Sequence, residues 1–142
     1  MASGFSAAER DAMKQRAAEL RASKGLKGAA KTAKELEECV EAIDKLEGVD
    51  RDAATLLHRV VSEEAPDLAP KTWYGFPTYA KDGTTIVYYQ PASKFKTRYG
   101  HVAFADAAAL DDGNMWPISF AITAVTDAVE QQLRDLVRRA VG

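Results

Sequence analysis

A chain of 142 residues with 46% hydrophobic and 28% charged positions has the composition of one globular domain with a real core. It is too apolar for wholesale disorder, and a formal net charge of −2 supplies no global basic field to recruit nucleic acid or anionic lipid. Its single cysteine, Cys39, excludes an internal disulfide and a multi-thiol metal site.

The opening stretch MASGFSAAERDAMKQR carries mixed charge in place of the apolar run of a secretory leader, so a cytoplasmic location is expected. No segment reaches the roughly 20 apolar residues that cross a bilayer, which argues against a membrane partner. Ser6 and Glu9 stand at capping-box spacing before a helix that runs to about Leu20. Met13, Ala17 and Leu20 give that helix only a thin apolar stripe, so it is expected to be peripheral and dispensable for folding. RASKGLKGAAK, with two glycines and scattered lysines, reads as a mobile connector. Residues 1–31 are thus set apart from a domain spanning 32–142.

From Thr32 a helical stripe of Leu36, Val40, Ile43 and Leu46, joined by Cys39, predicts a second helix, with Gly48 as its left-handed stop. Asp50 stands where it would cap a third helix, whose stripe is Ala54, Leu57, Val61 and Ala65, flanked by Val60. Pro66 ends that helix by pushing Ala65 out of helical geometry. After Pro70 the period changes to that of strands. Thr72–Ala80 and Thr84–Gln90 are predicted strands, and Lys81-Asp82-Gly83-Thr84 between them is a hairpin signal. Thr97–Ala105 follows as a third strand after a turn at Pro91, and Ile118–Ile122 as a short fourth. Val129, Leu133, Leu136, Val137 and Ala140 make a last amphipathic helix, with Asp127 and Glu130 at capping-box spacing. The order predicts an α+β fold, an antiparallel sheet with helices packed on one face.

PDLAPKTWYGFPTYAKDG, KFKTRY and LDDGNMWP taken together resemble the YdhG-like domain family, within the YjbR/CyaY-like (frataxin-like) superfamily. The likeness is to its actinobacterial type, with Phe76 where the family's segment carries Met, and it covers about Leu46 to the C-terminus. The resemblance implies a frataxin-like sheet covered by helices. It also implies iron as a cargo for some relatives, bound through surface carboxylates.

Catalytic motifs are thin: there is no nucleophile elbow, phosphate-binding loop or dinucleotide fingerprint. His58 and His101 are the only histidines, which excludes a His-rich metal site. Cys39 on the core stripe reads as a small buried hydrophobe, and Asp111-Asp112-Gly113-Asn114 as a turn. Glu37, Glu41 and Asp44 form a carboxylate ridge, the expected iron site if iron is bound, although Lys34 and Lys45 can offset it as a solvated face.

The remaining candidates concern a small planar or anionic ligand. Trp73, Tyr74, Tyr79 and Tyr88 supply rings, and Lys96, Arg98, Tyr99 and His101 supply cations and hydrogen-bonding groups beside them, with Trp116 closing the cleft. If Val102 and Phe104 face the core, strand alternation puts Arg98 and Lys96 on the core side, where a cation must line a cleft. A bulge at Gly100 would instead reset that alternation. A protein-interaction module, docking a partner on exposed aromatics, is the other reading.

Overall fold

The computed structural model describes residues 5–22, 25 and 27–142. In chain order the elements are α1 (Ala7–Ala22), α2 (Gly28–Asp44), α3 (Gly48–Glu64), β1 (Ala69–Trp73), β2 (Phe76–Lys81), β3 (Thr84–Gln90), α4 (Ala92–Phe95), β4 (Gly100–Phe104), β5 (Ser119–Ile122) and α5 (Asp127–Ala140). The five strands pair antiparallel in sequence order, β1-β2-β3-β4-β5, so the fold is α+β with a simple meander.

One sheet face meets the helices. Tyr79, Val87, Tyr89 and Val102 are fully buried there against Cys39 and Ile43 of α2, Leu57 and Val60 of α3, and Leu133 and Val137 of α5. The apolar stripes of α3 and α5 fall where their spacing places them, because each has one unbroken face to hide. Arg134 then bolts α5 to α3, donating to Glu63 and Glu64 at 2.8 Å each while Glu130 holds its Nε at 3.0 Å. Glu130 is engaged with Arg134 and Arg59, so the cap of α5 is Thr126, whose hydroxyl accepts the Val129 N–H.

Several expected elements shift. Residues 72–80 do not form one strand: Tyr74 and Gly75 take φ of 55° and 80° and turn the chain between β1 and β2. Two successive positive φ values are the signature of a type I′ hairpin turn, which the sheet's twist favours. Asp82 and Gly83, at 50° and 83°, repeat the device at the expected hairpin. The third predicted strand starts only at Gly100, because α4 and a left-handed Lys96 occupy the segment before it. Helix α2 begins at Gly28 and buries Cys39 and Ile43, with Leu46 buried just past its end, while Leu36 and Val40 stay about 40% exposed at its margin.

The capping box of α1 forms, with Ser6 and Glu9 exchanging hydrogen bonds at 3.1 Å. Its buried side is not the expected stripe. Met13 and Leu20 are exposed, whereas Ala12 and Glu19 are buried. The reason is polar: a Glu19 carboxylate oxygen accepts the Gly75 N–H at 2.7 Å and pulls α1 onto the β1–β2 turn. Most of the expected mobile connector, residues 21–31, is helical: Arg21 and Ala22 end α1 and Gly28 to Lys31 begin α2, while residues 23, 24 and 26 lie outside those described.

Candidate binding face

The face of the sheet turned away from the helices follows from register. Lys71 pairs with Thr78, Thr78 with Tyr88 and Tyr88 with Ala103, so these four share one side. Trp73 pairs with Phe76, and Gln90 with His101, adding a second row on the same side. Alternation sends their neighbours Thr72, Pro77, Tyr89 and Val102 to the helix side.

On this outer face the rings touch one another. Trp73 meets Tyr88 edge-on at 5.6 Å between centroids, and Tyr74 meets Trp73 edge-on at 5.0 Å. Phe76 lies parallel to Tyr88 at 6.0 Å, and Phe95 of α4 closes against Phe76 at 5.8 Å. These are the spacings at which ring quadrupoles attract. The Lys94 ammonium stands 6.0 Å from the Phe76 ring centroid, at the outer limit of a cation–π contact. His101 is half-buried, and burial holds its imidazole below the ordinary range, which leaves it a neutral donor and acceptor near pH 7. The arrangement can stack a planar molecule and offer it lysine and imidazole edges.

The nine residues expected to share one cleft are dispersed. Trp73, Tyr74, Tyr88 and His101 belong to the outer face. Tyr79, one residue past Thr78, points into the core with no exposed surface. Its hydroxyl lies 3.0 Å from His58 Nδ1 and 3.9 Å from Cys39 Sγ. The expectation for Lys96 and Arg98 rested on strand alternation, and alternation does not reach them, or Tyr99 beside them, because β4 begins at Gly100. All three are exposed in the loop after α4, with the Arg98 guanidinium 4.8 Å over the Tyr99 ring. Arg98 and Tyr99 border a separate pocket of about 190 Å³ near Asp50. Trp116 lies in the connection between β4 and β5, packed on the core margin and lining an open groove of about 530 Å³ with Met115 and Ile118.

Glu37, Glu41 and Asp44 are exposed along α2, and Asp44 faces Arg51 at 3.9 Å. Among the described residues no group of three or more His, Cys, Asp or Glu side chains is arranged to hold a metal ion. The ridge is therefore a row of separate carboxylates, because residues along one straight helix edge do not converge on a point.

Sequence reasoning missed Phe76, Phe95 and Lys71 as members of the outer face. Lys71 was legible, being two residues from Trp73 and so on its side of a strand. Phe95 was not, since α4 read as a turn. Cys39 is also inert where it sits: burial pushes its thiol up to about 11, against the opposing effect of its hydrogen bond with the Tyr79 hydroxyl. No protein-family model matches the chain, no curated protein matches it, and no solved structure matches it.

Proposed function

We propose that this chain is a cytoplasmic small-molecule-binding protein of the YdhG-like, frataxin-like type, and that its ligand is a planar molecule with an anionic edge. The ligand lies flat on the Trp73 ring with its rim against Tyr88, and its negative edge meets Lys71. No helix among the described residues is long and apolar enough to cross a membrane, which is compatible with that location.

The observation that carries the reading is Tyr74. It occupies a positive-φ turn position that favours Asn, Asp or Gly, and its ring spends that strained backbone on an edge contact with Trp73. The ring's edge contact roughly offsets that strain, so the turn keeps a half-exposed ring beside Trp73 at little net gain in stability. The outer face also keeps its rings half-exposed at Trp73, Tyr74 and Tyr88, whereas Tyr79 and Tyr89 of the same sheet are sealed in the core.

The test uses 1-naphthoate, a planar aromatic carboxylate, with tryptophan fluorescence as readout. Trp116→Phe isolates Trp73 as the reporter, and quenching should saturate. Tyr88→Leu should weaken binding about tenfold, the loss of one aromatic contact worth about 1–3 kcal/mol. Quenching that never saturates, or an affinity indifferent to Tyr88, removes the proposal.

A further inference from the structure

Strand β5 is one edge of the sheet, and among the described residues no strand pairs with its far side. The Phe104 N–H donates to the Ile118 carbonyl at 2.7 Å, one step beyond the β4–β5 register, so Phe104 and Ile118 are a hydrogen-bonded pair. Alternation along an antiparallel ladder then turns the backbone groups of Phe120 and Ile122 toward β4. Those of Ser119 and Ala121, both exposed residues, point away from the sheet.

The two edges of the sheet are guarded differently. β1 carries Pro70 and Lys71, residues of the kind that blunt an edge strand against further pairing. β5 carries neither a charge nor a proline, and residues 113–126 around it hold no charged side chain. Pro117 only bounds the free edge on one side. Exposed apolar side chains flank the strand instead, with Met115 at 89%, Ile118 at 52% and Val125 at 38%. Met115 and Val125 stand equally far from Phe120, on opposite sides of it. Two copies of β5 paired antiparallel about Phe120 would set each residue against the one equally far on its other side. Met115 of one copy then faces Val125 of the other, and no like charges are opposed. That match is a property of the strand with itself, so it selects a second copy over an unrelated peptide.

We propose that β5 is the interface of a two-fold homodimer, in which the second copy's β5 continues the sheet. Ser119 of one copy exchanges N–H···O=C bonds with Ala121 of the other, which satisfies the outward groups of both strands. The Phe120 rings meet between them, at the closely spaced position where aromatic pairs attract. Phe120 is already oriented by its own chain, half-buried and edge-on to Phe104 at 6.0 Å. Val125 of the second copy enters the open groove of about 530 Å³ that Met115, Trp116 and Ile118 line. The contact is small. A standard stable interface buries about 800 Å² per partner, and a strand of four residues with these flanks covers less. A dissociation constant on the order of tens of micromolar follows.

Sedimentation velocity of the full chain between about 5 and about 500 µM brackets that constant. The expected result is a concentration-dependent shift from 15.4 kDa to twice that mass. Ala121→Pro removes an outward N–H but none of the bonds to β4, and should weaken association at least about tenfold. Met115→Glu alters a side chain almost wholly in solvent, so the fold is unaffected. It should weaken association about tenfold by setting an unpaired carboxylate against Val125 of the other copy. Met115→Glu combined with Val125→Lys should restore the wild-type constant, because each new carboxylate then meets a new ammonium across the two-fold. A chain that stays monomeric throughout leaves the edge to some other protein's strand and overturns the proposal. So does a dimer whose constant survives either single variant, which places the contact elsewhere. A weakened dimer that the double variant does not rescue overturns the register about Phe120.

Discussion

The Tyr89 hydroxyl donates to Asp50 Oδ1 at 2.7 Å, joining the end of β3 to the first turn of α3. The same oxygen accepts the Ala92 N–H at 2.8 Å, and Oδ2 accepts the Ser93 N–H at 3.0 Å, so Asp50 holds the start of α4 as well. Burial would raise this carboxyl, but the hydrogen bonds together outweigh it and hold it below its ordinary value of 3.8. Its contribution is therefore complete above that value and is lost as pH falls through the lower folded-state value. Asp50→Asn should cost about 1.5–3 kcal/mol near pH 7, the range for hydrogen bonds to a charged acceptor. Urea unfolding at pH 7 and pH 3 checks it, and the wild-type advantage should shrink at the lower pH.

Gly100 shares that node. A Cβ there would overlap the Tyr89 hydroxyl and stand 2.8 Å from Asp50 Oδ1. Gly100→Ala should destabilise by about 1–3 kcal/mol through overpacking. Combining it with Tyr89→Phe removes the hydroxyl, so the double variant should lose less than the two single losses added. Additive losses in a double-mutant cycle would show that the contacts left in Tyr89→Phe, the ring Cζ at 2.7 Å and Asp50 Oδ1, set the cost.

Tyr74→Asn separates ring from turn. Asparagine suits the left-handed turn position, and the lost edge contact with Trp73 is worth only about 0.5–1.5 kcal/mol. Net stability should stay within about 1 kcal/mol of wild type, since relief of the strained backbone offsets the contact. Affinity for 1-naphthoate should fall in the same variant. A large stability loss with unchanged affinity would make the ring structural.

His58 should make the fold sensitive to mild acid. Burial holds its imidazole below the ordinary value of 6.5, so the unfolded chain takes up a proton that the native state refuses. Stability from this group is complete above 6.5 and falls as pH drops toward the lower folded value. Protonation also leaves Nδ1 able only to donate toward the sealed Tyr79 hydroxyl 3.0 Å away. Melting temperatures of wild type and His58→Gln across pH 5 to 8 should converge on the acid side. Parallel curves would place the imidazole in solvent.

Helix α1 is expected to matter to stability through Glu19, against the thin apolar stripe that would make it dispensable. Glu19→Ala leaves the Gly75 N–H without its carboxylate acceptor, a cost of about 1–3 kcal/mol for a buried donor. Removal of the whole helix should cost at least as much. Chemical denaturation of both proteins measures it, and a variant as stable as wild type would mean that water replaces the carboxylate freely.

The amino-acid order by itself determined whatever depends on near neighbours. Strand β3 spans Thr84–Gln90 as its β-branched and aromatic run requires, the Asp82-Gly83 turn forms, and Ser6 and Glu9 cap α1. Helix α3 stops before Pro66 because the ring excludes helical geometry from Ala65. Hydrogen bonds within one turn, hairpin dihedrals and a single apolar stripe are all encoded within about a dozen residues. The tertiary structure decided every partner beyond that reach. Asp50 reads as a cap for its own helix, yet it binds groups 39 to 43 positions away, and Glu19 finds a donor 56 positions away. The same holds for the candidate site. Alternation said which side each strand residue occupies but not where each strand begins, so the turn at Tyr74-Gly75 and helix α4 separated Arg98 and Tyr79 from Trp73 and Tyr88. Periodicity specifies a face, and only packing of the whole chain specifies what that face meets.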